Sequence, residues 1–354
     1  MNKNKKVTVA MSGGIDSAVA ALLIKNAGYQ TSGVTMRVCQ RLLFDGSDGM
    51  DTDINDAREI CNRLEIPHNV FDLKNEFKDA VIQDFVKTYL NGGTPNPCVV
   101  CNKYLKFGVL LDKVIANEAD YIATGHYAQI EKNESGRYLL KKAKDAKKDQ
   151  TYMLWSLSQY QLSHTLFPLG KLTKPEIREI GQNEGFINAH KRDSQDICFI
   201  PDGDYASFIE KELGYVYPEG NYVDENGNIL GKHKGMIHYT IGQRKGLGIS
   251  MGRHIFVIDK NVKSNTVTLA DEDKLFKTEV RIKNINLIPF DRLEGRIRVE
   301  AKLRYSQKTA FAFAEQIDND EILLEFDEPQ RAPAKGQSAV LYDGDYVLGG
   351  GIIQ

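Results

Sequence analysis

Three thiols and one glycine turn carry most of the chemistry open to this chain. Cys98 and Cys101 stand in the run Thr94-Pro95-Asn96-Pro97-Cys98-Val99-Val100-Cys101-Asn102, a loop stiffened by two prolines and followed at once by a helical pattern. A cysteine near a helix N-terminus feels positive partial charge, which lowers its pKa and populates the thiolate that a sulfur nucleophile needs. Cys198 stands in the short apolar stretch Ser194-Gln195-Asp196-Ile197-Cys198-Phe199-Ile200. The Cys-x-x-Cys spacing also suits zinc or an iron–sulfur site, but no second such pair or histidine pair follows at zinc-finger spacing, which argues against a structural zinc. If Cys198 joins Cys98 and Cys101 in space, the three thiols suit a cluster with one open iron position. Cys39 and Cys61 lack such a context, and Cys61 sits on an apolar helical face as a core residue does.

The glycine turn is Val7-Thr8-Val9-Ala10-Met11-Ser12-Gly13-Gly14-Ile15-Asp16-Ser17: a strand, a turn, and a helix whose start Asp16 or Ser17 favours. Adjacent glycines let the backbone come close, so their amides and the helix N-terminus can cradle an anion such as pyrophosphate. The ending Gly-Lys-Ser/Thr is missing, which argues against γ-phosphate transfer on a Walker loop. Ser-Gly-Gly alone describes any tight turn. The buried-type strand before it and the apolar helix after it move the reading to phosphate binding, and the loop resembles the PP-loop, which holds ATP while AMP is transferred. Thr124-Gly125-His126 ends a later strand, so it falls on the same rim, where ligands of such sheets gather; a histidine there is either structural or functional.

These groups need a scaffold, and the pattern supplies one. Candidate strands at Val7–Met11, Thr31–Met36, His68–Phe71 and Tyr121–Thr124 alternate with helical patterns at Ser17–Asn26, Asn55–Leu64, Phe77–Leu90 and Lys103–Ile115. That alternation predicts a parallel, doubly wound α/β sheet covered on both faces. Further helical patterns run over Leu154–Leu162 and Pro175–Glu184. A glycine-rich stretch from Tyr205 to Leu269 reads as a small central domain. Beyond Asp271 short alternating strands follow, with Asp343-Gly344 as a hairpin signal, and predict a C-terminal β-barrel. The expected domains are 1–203, 204–272 and 273–354, in keeping with 354 residues.

Composition narrows the class. With 42% hydrophobic and 27% charged residues the chain reads as a soluble globular protein. No apolar run approaches the roughly 20 residues of a membrane helix, and the basic N-terminus leads straight into the glycine turn, so a cytoplasmic protein without membrane contact is expected. Five cysteines without a secretory signal do not make a disulfide framework. The net charge of −2 attracts no nucleic acid globally. RNA binding therefore needs local basic faces, such as Lys141–Lys148, His190-Lys191-Arg192, Lys232-His233-Lys234 or Arg244-Lys245. Such runs are as often solvated surface.

Taken together, the motifs resemble the tRNA-specific 2-thiouridylase family of the PP-loop ATP pyrophosphatase superfamily, whose catalytic domain is adenine nucleotide alpha hydrolase-like. The resemblance runs through Ser12 to Ser17, Asn96-Pro97 to Asn102, Ala123-Thr124-Gly125-His126-Tyr127, Lys148-Asp149-Gln150, Cys198, Tyr239-Thr240-Ile241-Gly242-Gln243-Arg244-Lys245-Gly246-Leu247-Gly248 and Leu348-Gly349-Gly350-Gly351-Ile352-Ile353. It implies 2-thiolation of the wobble uridine of tRNA, with ATP held by Ala10, Met11, Ser12, Gly13, Gly14, Ile15, Asp16, Ser17, Met36 and Gly125. The C2 oxygen would be adenylated, a persulfide on Cys198 would deliver sulfur, and Cys101 would be the partner nucleophile, ending in a disulfide with Cys198. Mg2+ would neutralise the departing pyrophosphate. Sulfur would come from a cysteine desulfurase or a relay protein.

The same resemblance assigns tRNA contacts to Lys148, Asp149, Gln150, Arg304 and Tyr305, places His126 and Gln337 near the target, and brings Asn96, Pro97 and Cys98 to the base. Single-stranded anticodon loops make splaying that base cheap. Many family members carry aspartate where this chain has Cys98. The exchange removes an acid–base group and favours the three-thiol iron–sulfur variant. Two rivals remain: a PP-loop ligase adenylating a small molecule, which leaves the cysteines and the barrel unexplained, and a non-catalytic RNA- or metal-binding protein.

Overall fold

The computed structural model describes residues 4–39, 49–186 and 197–354. The basic run His190-Lys191-Arg192 and the residues Ser194 to Asp196 lie outside the described residues. The chain forms two compact units, one of Met1–Val81, Cys98–Pro201 and Gly344–Leu348, the other of Ile82–Pro97, Asp202–Asp343 and Gly349–Gln354.

In the first unit the elements are β1 (Lys6–Ala10), α1 (Ile15–Asn26), β2 (Gln30–Arg37), α2 (Gly49–Arg63), β3 (His68–Asp72), α3 (Lys74–Phe77), α5 (Pro97–Val100), α6 (Leu110–Ala116), β4 (Tyr121–Thr124), the hairpin β5 (Gln129–Lys132) and β6 (Tyr138–Lys141), α7 (Gln159–Ser163), β7 (Thr165–Leu166) and α8 (Lys174–Asn183). The sheet order is β3-β2-β1-β4-β7, every pairing parallel. Val7 and Val9 point into a core with Ala18, Val19, Leu22, Ile60 and Ile177, because a parallel sheet is buried on both faces. Helix α8 comes unusually close to α1: a Cβ at Gly181 would meet Ile15 Cδ1 at 2.1 Å.

Several expectations change. Helix α1 starts at Ile15 with Gly14 as its cap and no side-chain cap, so neither Asp16 nor Ser17 does the capping. The single helix expected over 103–115 begins earlier and is broken into α5, a π-helical segment Cys101–Val109 and α6. The helix expected over 77–90 likewise contains a π-helical segment, Lys78–Ile82. Wide turns shift later side chains around the axis, which apolar spacing does not register, and they recur at functional sites. Over Leu154–Leu162 the helix begins only at Gln159, where Ser158 and Gln161 form a reciprocal capping box. The hairpin of β5 and β6, turned at Gly136 with φ +87, was not expected.

In the second unit, α4 (Gln83–Leu90) packs on α9 (Tyr205–Leu213) through stacked Tyr89 and Tyr205, centroids 5.0 Å apart, and Phe85 against Phe208. A central sheet, order β10-β11-β8-β9, consists of β8 (Gly220–Val223), β9 (Ile229–His233), β10 (Phe256–Asn261) and β11 (Thr266–Ala270). Tyr222, Met236, Tyr239, Val257, Val267 and Leu269 form its own core. The C-terminal strands β12 (Phe276–Leu287), β13 (Arg296–Lys302), β14 (Ala310–Asp318), β15 (Glu321–Arg331), β16 (Ser338–Asp343) and β17 (Tyr346–Ile353) run in the order β12-β15-β14-β13-β16-β17. Pairing of β12 with β17 closes them into the barrel that the sequence predicted. Among the described residues no helix is long and apolar enough to cross a membrane.

Candidate active site

The glycine turn opens at the carboxyl end of β1, beside the ends of β2 and β4. Gly13 has φ +73, and a Cβ there would lie 2.6 Å from the Asp53 carbonyl oxygen, so only glycine fits. The turn is braced from within: the Ser17 hydroxyl donates to the Gly14 carbonyl at 2.9 Å and accepts from the Ser12 amide at 3.2 Å. The Thr35 hydroxyl donates to the Met11 carbonyl at 2.9 Å. These bonds fix the loop in one shape before anything binds.

A pocket of about 210 Å³ lies against it. Of the residues expected to hold the nucleotide, Ala10, Met11, Ser12, Asp16, Ser17, Met36 and Gly125 line this pocket; Gly13, Gly14 and Ile15 do not, and the Ile15 side chain is core. Val34, Lys106, Thr124, His126 and Gln150 complete the lining. Gly125 packs against the helix start, where a Cβ would meet Asp16 C at 2.9 Å and the Ser17 nitrogen at 3.0 Å. Gly125→Ala is therefore expected to displace the loop backbone and raise the KM for ATP about tenfold, at a stability cost of about 1–3 kcal/mol; initial rates against ATP concentration check the first figure.

Asp16 is held from two sides. Both its carboxylate oxygens lie 2.8 Å from the Lys174 ammonium at the start of α8, and Oδ1 also accepts from the Tyr127 hydroxyl at 2.7 Å. Lys174 is nearly fully buried. A buried carboxylate or ammonium alone is costly, so each holds the other in place. Sequence reading missed Lys174; its only local signal was the helix-start run Thr173-Lys174-Pro175-Glu176, which announces a cap rather than a ligand.

The thiols gather in the same unit. Cys101, Cys98, Cys39 and Lys106 all act electrostatically on Cys198. Cys39, read from sequence as lacking context, thus belongs with the other three. Phe199, next to Cys198, meets Phe77 edge-on with centroids 5.5 Å apart, and α3, which ends at Phe77, packs on the π-helical segment that Cys101 opens. The expected thiolates are not what the geometry favours. Cys98 and Cys198 open to solvent on one side and Cys101 is half-buried, yet the protein packed around them raises the pKa of Cys98 and Cys101 and pushes Cys198 up to about 12, outweighing the nearby Lys106 cation. The reason is that dehydration penalises the charged sulfur by more than the start of the helical run from Pro97 and the Lys106 cation favour it. Cys61 is fully buried, raised to about 11 by burial alone, as a core thiol should be.

A pH prediction follows from the sign. Raised pKa values leave these thiols protonated at neutral pH, so iodoacetamide should label Cys98, Cys101 and Cys198 slowly at pH 7. Labelling should then quicken by about tenfold per pH unit and keep rising beyond the usual 9.0. Site-resolved peptide mass spectrometry reads the rates, and a plateau below pH 8 would contradict the burial effect.

Among the described residues no three His, Cys, Asp or Glu side chains are grouped to hold a metal ion, so the structure supplies no assembled ligand set for the iron–sulfur variant there. His126, on the pocket wall, has its pKa well below the usual value through burial and then Lys106, and its Nδ1 pairs with the Thr124 hydroxyl at 2.7 Å. It is a neutral imidazole there, not a phosphate-binding cation. Lys106 was not singled out in the sequence. It lines the pocket and its charge reaches Cys98, Cys101 and Cys198.

The residues expected on RNA fall into two groups. In the first unit Lys148 is half-buried, Asp149 accepts from the Ala143 amide and the Thr151 hydroxyl, and Gln150 accepts from the Tyr127 amide while lining the pocket. In the second unit Arg304 donates to the carbonyls of Ala332 and Ile241, and Tyr305 is exposed beneath the Lys302 ammonium. Gln337 donates to the carbonyls of Thr94 and Pro95 at 3.1 and 2.9 Å, so it holds the segment that carries Asn96 and Pro97.

Comparison with known proteins addresses what this site belongs to. Residues 5–202 match the family model described as the tRNA methyl transferase HUP domain, 206–271 the tRNA methyl transferase PRC-barrel domain, and 277–353 the aminomethyltransferase beta-barrel domain. The chain is 50% identical over 358 residues to the tRNA-specific 2-thiouridylase MnmA of Clostridioides difficile, covering 100% of this chain and 99% of that protein. It is 50% identical over 355 residues to the MnmA of Clostridium beijerinckii, covering 99% of each. The chain belongs to the tRNA-specific 2-thiouridylase family. Full-length relatives of that name take precedence over the methyl-transfer wording of the domain models, and a thiouridylase-family enzyme has a use for clustered thiols. Among solved structures, the U34-tRNA thiolase NcsA from Methanococcus maripaludis with its [4Fe-4S] cluster is 22% identical, over 59% of this chain and 68% of that one, with a TM-score of 0.35. That likeness is too distant to bear on the thiouridylase site.

Proposed function

We propose that this enzyme replaces the C2 oxygen of the wobble uridine of tRNA with sulfur, using ATP and a persulfide on Cys198. The observation that carries the reading is Lys106: one cation lines the pocket beside the glycine turn and acts on all three thiols, so nucleotide and sulfur chemistry share a site. ATP lies on the loop from Ala10 to Ser17 with Met36 and Gly125 against it. The uridine C2 oxygen attacks the α-phosphate and pyrophosphate leaves, which converts a poor leaving group into AMP. Persulfide sulfur then adds at C2 and AMP departs. Cys101 attacks the Cys198 sulfur, the product is released, and a Cys101–Cys198 disulfide remains.

The neutral His126 imidazole is suited to hydrogen-bonding the uracil edge or shuttling a proton, and Lys106 to offsetting charge as it builds on the attacked oxygen. Mg2+ brought in with the nucleotide would neutralise charge on the departing pyrophosphate. Asn96, Pro97 and Cys98 approach the base. Lys148 and Gln150 in the first unit and Tyr305 in the second contact RNA directly, while Asp149 orders the backbone of its own unit and Arg304 and Gln337 that of theirs. The domain division at 203/204 and 272/273, a cytoplasmic location and a desulfurase or relay protein as donor belong to the same reading.

The test is reconstitution: persulfide-loaded protein, an unmodified tRNA transcript, Mg2+ and ATP, followed by nucleoside mass spectrometry. 2-Thiouridine that requires ATP supports the proposal. No thionucleoside, or the same yield without ATP, rejects it and returns a small-molecule ligase or a binding protein to consideration.

A further inference from the structure

We propose that Cys98 and Cys101 act as a redox pair, with Cys98 taking over the disulfide left by sulfur transfer and so freeing Cys198. The inference rests on the function proposed above and adds a catalytic thiol to it. Sulfur transfer needs two thiols, and this site has a further one placed for exchange. Cys98 lies in α5 and Cys101 opens the π-helical segment that continues it, with Val100 between them at φ −61 and ψ −47, so the backbone is helical throughout. Residues three apart on a helix face the same side with Cβ atoms about 5–6 Å apart, so a bridge between them, whose Cβ atoms lie about 3.5–4.5 Å apart, forms by tightening this first turn by about 1–2 Å. Cys98 is exposed and Cys101 half-buried. Cys198 comes to them from a distant segment, placed by Phe199 on Phe77 and by α3 on the segment that Cys101 begins.

The step balances. Persulfide sulfur enters the product at the oxidation level of sulfide, so two thiols become one disulfide, Cys101–Cys198. The Cys98 thiolate attacks the Cys101 sulfur; the Cys98–Cys101 bond forms as the Cys101–Cys198 bond breaks. Cys198 leaves as a thiolate and takes up the proton that Cys98 gave, with no net electron transfer. Cys198 can then accept its next sulfur, and an external dithiol reduces the Cys98–Cys101 bridge. Chain separation favours the exchange, because a bridge between residues three apart closes a far shorter loop than one joining two distant segments.

A single-turnover experiment reads it. Full-length protein is loaded with inorganic polysulfide, desalted, mixed with tRNA transcript, Mg2+ and ATP without reductant, quenched in acid with N-ethylmaleimide, and mapped by peptide mass spectrometry. A control without ATP corrects for bridges formed during loading. The expected result is an ATP-dependent Cys98–Cys101 bridge in at least about tenfold excess over Cys101–Cys198, with Cys198 alkylated. In Cys98→Ser the bridge should stay at Cys101–Cys198. If 2-thiouridine forms and the wild-type bridge remains Cys101–Cys198, or involves any other cysteine, the exchange is overturned while the function stands. If no 2-thiouridine forms, both fall.

Discussion

Cys198→Ser is expected to lower 2-thiouridine formation by at least about 10³-fold, the loss usual when a covalent nucleophile is removed. Serine keeps the shape of the side chain but cannot carry a transferable sulfur. ATP consumption separates this from general damage. Adenylation of the uridine uses the loop from Ala10 to Ser17, so release of pyrophosphate in the presence of tRNA should survive in the variant for one turnover. Activity within about twofold of wild type would show that sulfur reaches the base by another route. Cys198 is exposed, so the substitution leaves the core intact.

The second large effect is on stability. Lys174→Met should cost about 3 kcal/mol, the low end for removing one partner of a buried pair, because the Asp16 side chain keeps 30% of its surface exposed. Methionine keeps most of the length of the lysine stem but removes its charge, leaving the Asp16 carboxylate with the Tyr127 hydroxyl and no cation. Lys174→Arg should recover part of the loss, and the double change of Asp16→Asn with Lys174→Met should recover most of it, since no lone charge remains. Trp155 is the single tryptophan and is buried in the same unit, so its fluorescence during urea unfolding reports the change directly. Equal stability of Lys174→Met and wild type would mean the pair is not formed in solution. Nucleotide affinity should fall in parallel, because Asp16 lines the pocket.

These two cases also show how much of the molecule was legible in its residues. The sheet was readable because short strand patterns alternate with helical stripes, with Val7 and Val9 buried in the central strand, and the barrel because its strands alternate and Asp343-Gly344 marks a turn. Ser12 to Ser17 and Thr124-Gly125-His126 could be placed on one rim because parallel sheets put ligands at strand ends; Met36 came only from the family resemblance, which gave Gln150 as an RNA contact rather than as part of the pocket wall. Lys174 could not, since it reaches Asp16 across 158 positions of chain. Lys106 was hidden because the wide helical turn before it changes which side chains share a face. The thiol ionisation went wrong for another reason: position near a helix start is visible in sequence, but the dehydration that overrides it exists only in the folded protein. Cys39 joined the other thiols for the same reason.

The most direct test of activation at the carbonyl follows an oxygen atom. A tRNA bearing 18O at C2 of its target uridine, turned over once with ATP and persulfide-loaded protein, should yield AMP heavier by one 18O as 2-thiouridine appears. AMP of ordinary mass alongside the same yield of 2-thiouridine would mean that the oxygen left by another path, and that adenylation of the base does not occur.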